Sequence, residues 1–236
     1  MTVKFNNNRE LFEELNRKES LSIDKDDFLV LEYPDHFSSN GNKKVNSKDL
    51  GKKFAHLNSF FFDYLKGYHI PTAFIKSDGK KSLKFLKHNR CPFVIKILNT
   101  VDKRTSKIFH KKENEHLSFP IFEYHIGEGK DSLVTESHLI SFNLCSIEEL
   151  KLMNRICSKV NAVLKSFFER RNTILAEVSC CFGRHDNKIY LVDDFTPRSL
   201  KILPVKEDKK WSNPHKLTTA AEVKRYTDQL QNIMSS

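Results

Sequence analysis

Glycine is scarce in this chain, with seven in 236 residues, and none falls in a G-x-G-x-x-G or G-x-x-x-x-G-K spacing. Both phosphate loops need glycine so that backbone N–H groups can close around the anion. A dinucleotide-binding crossover and a P-loop are therefore excluded as the source of function. Cysteine is also thin: five residues, an odd number, with no C-x-x-C and with Cys180 adjacent to Cys181. That pattern supplies neither a disulfide framework nor a zinc ribbon. It reads as reduced thiols in a cytosol-like compartment, so a cytoplasmic location is expected. The ten histidines show no zinc-ligand spacing, and no serine or cysteine nucleophile motif stands out. No apolar run approaches the roughly 20 residues that span a bilayer. The polar, Asn-rich stretch Met1–Arg9 leads into no apolar segment, so neither a signal peptide nor a membrane partner is expected.

What is present is enough for a real core. Hydrophobic residues make up 39% of the chain and include 19 Phe, against 30% charged residues. Disordered chains carry fewer aromatics. Lys and Arg exceed Asp and Glu by 40 − 30 = +10. Such an excess suits a phosphate-bearing small molecule, a nucleic acid or an anionic surface, and equally a plain solvated lysine-rich surface.

Along the chain, Leu11, Phe12 and Leu15 give a short helical pattern. Phe28–Glu32 reads as a buried strand ending at Tyr33-Pro34-Asp35. His36 to Ser47 is rich in Ser, Asn, Gly and Lys and reads as loop. Leu50, Phe54, Leu57, Phe61 and Leu65 recur at helical spacing, ending near Gly67. Ala73–Ile75 and Phe93–Leu98 have strand length, and Asp102–His116 is basic and weakly patterned. Ser146-Ile147-Glu148-Glu149 spells a capping box. Behind it Leu150, Met153, Ile156, Val160, Val163, Leu164 and Phe167 form the clearest amphipathic helix. Thr173–Val178 and Lys188–Val192 read as two strands, joined through Gly183–Asn187 as a hairpin. A last helix follows Thr218. No repeat or linker divides the chain, and strands followed by a mixed helix–strand region imply an α+β arrangement of two lobes.

The sharpest local signal is Ile189-Tyr190-Leu191-Val192-Asp193-Asp194-Phe195-Thr196-Pro197, a buried strand running into two carboxylates. Paired carboxylates at a strand end can hold Mg²⁺ against nucleotide phosphates, although two acids after a strand also serve as a turn or cap. Glu177, on the neighbouring strand, approaches Asp193 if the hairpin pairs, and otherwise is an edge-strand acid facing water. Lys103-Arg104 and Lys111-Lys112, beside Phe109 and His110, read either as a nucleic-acid patch or as an exposed basic loop.

In this order the segments resemble the SAICAR synthetase family (phosphoribosylaminoimidazole-succinocarboxamide synthetase) from about Phe28 to Leu203. Four blocks carry the likeness: Asp35-His36-Phe37-Ser38-Ser39-Asn40-Gly41; Ser59–Leu65 followed by Ile70-Pro71-Thr72; Lys159–Phe168; and Ile174-Leu175-Ala176-Glu177 through Phe182-Gly183-Arg184, then Leu191–Pro197. The resemblance implies a two-lobe α+β fold with antiparallel sheets and an ATP cleft between a smaller lobe, residues 1–92, and a larger one, residues 93–236. It implies an ATP- and Mg²⁺-dependent ligase that joins a carboxylated aminoimidazole ribonucleotide to aspartate through an acyl phosphate. On that scheme Asp193 and Glu177 are catalytic and hold the metal. Lys18, Arg90, Cys91 (through backbone) and Asp193 meet ATP, and Asn40, Gly41, Lys96, Arg198 and Lys201 meet the phosphorylated substrate. The sequence departs from the family pattern at several places. Only Lys18 survives of a Gly-Lys-x-Lys segment. Glu177 stands for Asp, Ser179 and Cys181 for Lys and Glu, Arg198 for an acid and Lys201 for Arg, and Phe54-Ala55 replace Asn-Asn.

Two readings stand beside the ligase. One is a family member without catalysis that binds a nucleotide or a protein. The other is a nucleic-acid binder, which charge alone favours. A homo-oligomer is compatible with all three.

Overall fold

The computed structural model describes residues 20–23, 28–37, 45–127, 132–192, 195–205 and 211–235. The helical pattern of Leu11, Phe12 and Leu15 lies outside them. The described chain contains a four-stranded sheet, a six-stranded sheet and a two-stranded ribbon, all antiparallel within themselves.

The smaller sheet takes β1 (Ser20–Ile23), β2 (Phe28–Glu32), β5 (Phe74–Ser77) and β6 (Ser82–Leu86), in the order β1-β2-β6-β5. The ribbon is β3 (His36–Phe37) with β4 (Val45–Asn46). The larger sheet runs β11 (Lys188–Val192), β10 (Thr173–His185), β7 (Asn89–Thr100), β8 (His116–His125) and β9 (Leu133–Val134), with β12 (Leu200–Pro204) also pairing β10. The boundary expected after residue 92 falls inside β7, which belongs wholly to the larger sheet.

Between the sheets lies α1 (Leu50–Gly67), and its phenylalanine run explains how. Successive helical residues point about 100° apart, so Phe61 and Phe62 reach different neighbours. Phe62 stacks on Phe74 and meets Phe85 edge-on, in the smaller sheet. Phe61 meets Phe167 and Phe168 of α4 (Ile147–Glu169), the long helix on the larger sheet. Both rings are fully buried. The start of α1 is fixed by Asp35, whose carboxylate accepts from Gly51 N at 2.9 Å and pairs with Lys81. Gly51 is required there, because an added Cβ would sit 2.1 Å from the Tyr33 carbonyl oxygen.

α4 forms as its sequence dictates. Ser146 Oγ accepts from Glu149 N at 3.1 Å and Glu149 returns to Ser146 N at 2.9 Å. Its apolar face then buries Leu150, Met153, Ile156, Val160, Leu164 and Phe167. One polar residue on that face, Asn161, is satisfied by a reciprocal amide pair with Asn99 of β7, at 2.7 and 2.9 Å. The sheet residues beneath α4 alternate with period two. Cys91, Phe93, Ile95 and Ile97 of β7 and Cys180 and Phe182 of β10 are buried in the common core.

Three local expectations are refined. Strand β5 begins at Phe74 rather than Ala73, since Ala73 instead bonds to Leu191. The basic stretch after Asp102 contains α2 (Lys103–Phe109), started by Asp102 Oδ1 accepting from Thr105 N at 2.8 Å. The hairpin strands extend to His185 and resume at Lys188, so the turn is only Asp186-Asn187, both at positive φ. Asn and Asp tolerate the left-handed pair that such two-residue hairpins need. Two further helices complete the described residues: α3 (Glu136–Ser141) and α5 (Ala220–Ser235). α5 also opens with a capping box, Thr219 with Glu222.

Candidate active site

The face of the larger sheet turned away from α4 carries charge. It is set by register. Lys96 of β7 lies opposite Ser179 of β10 on one side and Glu123 of β8 on the other. Residues in register share a face, so Ser179, Lys96 and Glu123 form one row, and Glu177, two residues before Ser179, sits diagonally beside it. The Lys96 ammonium is 3.3 Å from Glu177 Oε2 and 3.9 Å from Glu123 Oε2. Arg104, from the first turn of α2, pairs with the other oxygen of Glu123. His125 Nε2 stands 3.0 Å from Glu123 Oε2, and its Nδ1 stands 3.0 Å from Ser132 Oγ.

Burial makes these charges consequential. The side chains of Glu123 and Glu177 are 4% and 9% exposed, whereas Lys96 is 21% and Arg104 47% exposed. The carboxylates form the floor and the cations reach outward. Burial works to raise the Glu123 pKa, but the His125 hydrogen bond and the charges of Lys96 and Arg104 outweigh it and hold the group below the usual range. An ion this buried persists only when paired. Asp102 behaves alike: burial raises it, and the Thr105 bonds with Lys96 and Arg104 lower it further.

Glu177 is therefore not an edge-strand acid facing water. β10 is central in the sheet, and Glu177 lies beyond the reach of the β11 ladder, which ends with Cys181 opposite Val192. Its neighbours in register are Leu98 of β7 and Lys201 of β12. Lys201 shares the face and donates to the Pro197 carbonyl at 2.6 Å. Arg90 lies further along the same face, opposite Gly183, and its guanidinium donates to Cys181 Sγ at 3.4 Å. Cys91 turns its thiol the other way, toward the core, where burial pushes its pKa up to about 11. Arg198 is exposed after Pro197. Asp193, Asp194, Lys18, Asn40 and Gly41 lie outside the described residues.

The structure thus gathers Glu177, Lys96 and Lys201 on one face with Arg90, and leaves Arg198 at the surface. Sequence reasoning missed Glu123, His125 and Asn58. Glu123 and His125 sit in Phe122-Glu123-Tyr124-His125, where strict polar/apolar alternation was the available signal. Asn58 is fully buried on α1; its amide donates to Phe54 O at 2.9 Å and its Oδ1 accepts from Phe195 N. It ties the residue after Asp193-Asp194 to α1. Also near the cluster is His215, which feels the charges of Glu177, Lys201 and Lys96. Among the described residues no group of three His, Cys, Asp or Glu is close enough to cage a metal, and no helix is long and apolar enough to cross a membrane.

The chain is similar to known proteins of one family. The family model for SAICAR synthetase matches residues 16–231. A phosphoribosylaminoimidazole-succinocarboxamide synthase of Acidithiobacillus ferrooxidans is 28% identical over 179 residues, 75% of each chain. One of Clostridium botulinum is 27% identical over 202 residues, covering 85% of this chain and 86% of that one. Among solved structures, SAICAR synthetase from Pyrococcus horikoshii superposes with a TM-score of 0.82 at 24% identity, covering 92% of this chain and 98% of that one. A SAICAR synthetase in complex with ADP gives 0.83 at 24% identity, covering 92% and 95%.

Proposed function

Because the chain belongs to the SAICAR synthetase family, we propose that it is an ATP-dependent ligase of purine biosynthesis, joining a carboxylated aminoimidazole ribonucleotide to aspartate in the cytoplasm. The observation that carries this reading is the buried Glu177–Lys96 pair, with Glu123 and Arg104 beside it, on the sheet face turned from the core. A structural sheet face does not need two buried carboxylates and three flanking cations; an anionic substrate handled with nucleotide does.

Each residue has a task within this reading. Lys96, Arg104 and Lys201 hold the anionic groups of the phosphorylated substrate. They hold these groups in the bound substrate and in the transition state alike, so that their contribution is to binding. Arg90 and the backbone of Cys91 lie at the adenine end. Asn58 fixes the exit of the Asp193-Asp194 segment through Phe195. The two sheets mark the smaller and larger lobes, with ATP between them.

Mg²⁺ fits the donors present. A phosphate-bound magnesium needs one or two protein carboxylates rather than a closed cage. Glu177 offers a hard oxygen whose ion partner is the displaceable ammonium of Lys96, and the resemblance to the family assigns the second carboxylate to Asp193. The metal would neutralise phosphate charge there. The ADP complex of a structural neighbour supports the nucleotide.

The ligase and the family member without catalysis are separated by one assay. Purified protein is given ATP, Mg²⁺, the carboxylated ribonucleotide and aspartate, and ADP release is followed. Aspartate-dependent turnover that Glu177→Gln abolishes is the expected result. ATP-dependent thermal stabilisation with no ADP release would leave only a nucleotide-binding module.

A further inference from the structure

We propose that Glu123 is a positioning residue: an internal counter-ion that fixes Lys96 and Arg104 in the orientation that receives the anionic substrate. The inference rests on the ligase reading for its substrate, and on geometry alone for the positioning.

Two strands and a helix turn converge on this one carboxylate. Oε1 takes Arg104 of α2, and Oε2 faces both Lys96 of β7 and His125 of its own strand β8. Lys96 is consequently suspended between carboxylates on the two flanking strands, Glu177 at 3.3 Å and Glu123 at 3.9 Å. Ser179, directly opposite Lys96 on β10, offers no charge. With Glu123 neutralised, the Lys96 ammonium is drawn wholly onto Glu177, deeper and away from the substrate side. Arg104, already half exposed, loses its buried anchor and gains rotamer freedom.

Two effects of removing Glu123 oppose each other, and their sizes decide the outcome. Freed cations attract an anion more strongly, but only through a solvent-screened Coulomb term. Lost positioning removes the charge-assisted hydrogen bond that holds Arg104 and the buried-side ion pair at 3.9 Å that holds Lys96 where the substrate meets them, and these outweigh a screened attraction. Binding therefore weakens. Because the interaction is made with bound substrate and transition state alike, the loss falls on KM rather than kcat.

The test uses full-length protein and the variants Glu123→Gln and Glu123→Asp, with two readouts. The first needs no turnover: lysine ammonium ¹H–¹⁵N signals in the unliganded protein, with Lys201, held by the Pro197 carbonyl, as internal control. Expected is a protected Lys96 signal that moves or vanishes in Glu123→Gln, is largely kept in Glu123→Asp, and changes while Lys201 does not. The second is steady-state kinetics. Expected in Glu123→Gln is a KM for the carboxylated ribonucleotide raised about tenfold with kcat within about threefold, and substantial recovery in Glu123→Asp. An unchanged Lys96 signal in Glu123→Gln overturns the proposal. So do equal losses in both variants that track a fall in Tm, since that is a structural role only. A wild-type protein without turnover whose Lys96 signal still follows Glu123 supports the positioning and removes the ligase reading instead.

Discussion

The two faces of the six-stranded sheet are built from the same strands, residue by residue in alternation, yet they are stabilised in opposite ways. Beneath α4, Phe93, Ile95, Ile97, Cys180 and Phe182 are buried by apolar contact, and the buried amides of Asn99 and Asn161 satisfy each other. On the other face Lys96, Glu123 and Glu177 are buried by one another, with the cations left partly open. The first face uses shape, which is forgiving of chemistry but not of volume. The second uses charge, which tolerates small changes of shape but not the loss of a partner. Stability should therefore reside mainly on the α4 side and function on the charged side.

The comparison breaks most visibly at Phe182, which is fully buried. Phe182→Ala should destabilise the protein by about 3–5 kcal/mol, read as a lower midpoint in urea, with activity per folded molecule nearly unchanged. A low-activity, fully stable variant would contradict the division. On the opposite face, Glu177→Gln should lower the rate about a hundredfold or more while shifting the urea midpoint less than Phe182→Ala does, because Gln keeps the shape and Lys96 keeps Glu123 as its ion partner.

A contact at the edge of the α4 side sharpens the division. Glu149 both caps α4 and holds Arg184 through two hydrogen bonds, at 2.6 and 2.9 Å. Glu149→Ala should cost about 1–2 kcal/mol in chemical denaturation and leave the KM for ribonucleotide untouched.

Acid gives a smaller, graded effect. The Arg184 hydrogen bond lowers the Glu149 pKa despite its partial burial, and Glu123 is lowered as described. A carboxylate depressed in the folded state contributes stability that is complete above its unfolded pKa, about 4.3 for Glu, and is lost as pH falls through the folded value. Melting temperature should fall below about pH 4.3, and less steeply in Glu123→Gln, which has no charge to lose there. Parallel curves for the two proteins would show that Glu123 is not held low. The smallest effect is expected at Phe119, 83% exposed on β8: Phe119→Ser should change stability by less than about 0.5 kcal/mol.

Much of this molecule was legible from its residues. The Ser146–Glu149 box and the apolar spacing behind it forced α4, because a cap and a face are local properties. The Phe run of α1 and the strand–turn–strand about Asp186-Asn187 are local in the same sense, and the block order carried the family. The element boundaries near Ala73 and Lys103 were not legible, since Ala73 is claimed by Leu191 and α2 depends on Asp102 being held at the end of β7.

The site divides along the same line. The sequence by itself determined that Glu177 ends up on a strand in a two-faced sheet, and that Lys96 follows the alternation of a neighbouring one. Only the tertiary structure decided which acids and bases meet. A slip of one residue in the β7–β8 register would turn Glu123 into the core and bring Tyr124 out, and nothing local in Phe122-Glu123-Tyr124-His125 prevents that. What prevents it is the far side of the sheet, where Tyr124 must reach Glu136 of α3 and Asn154 of α4. The charged face is thus fixed by the packing of the apolar one.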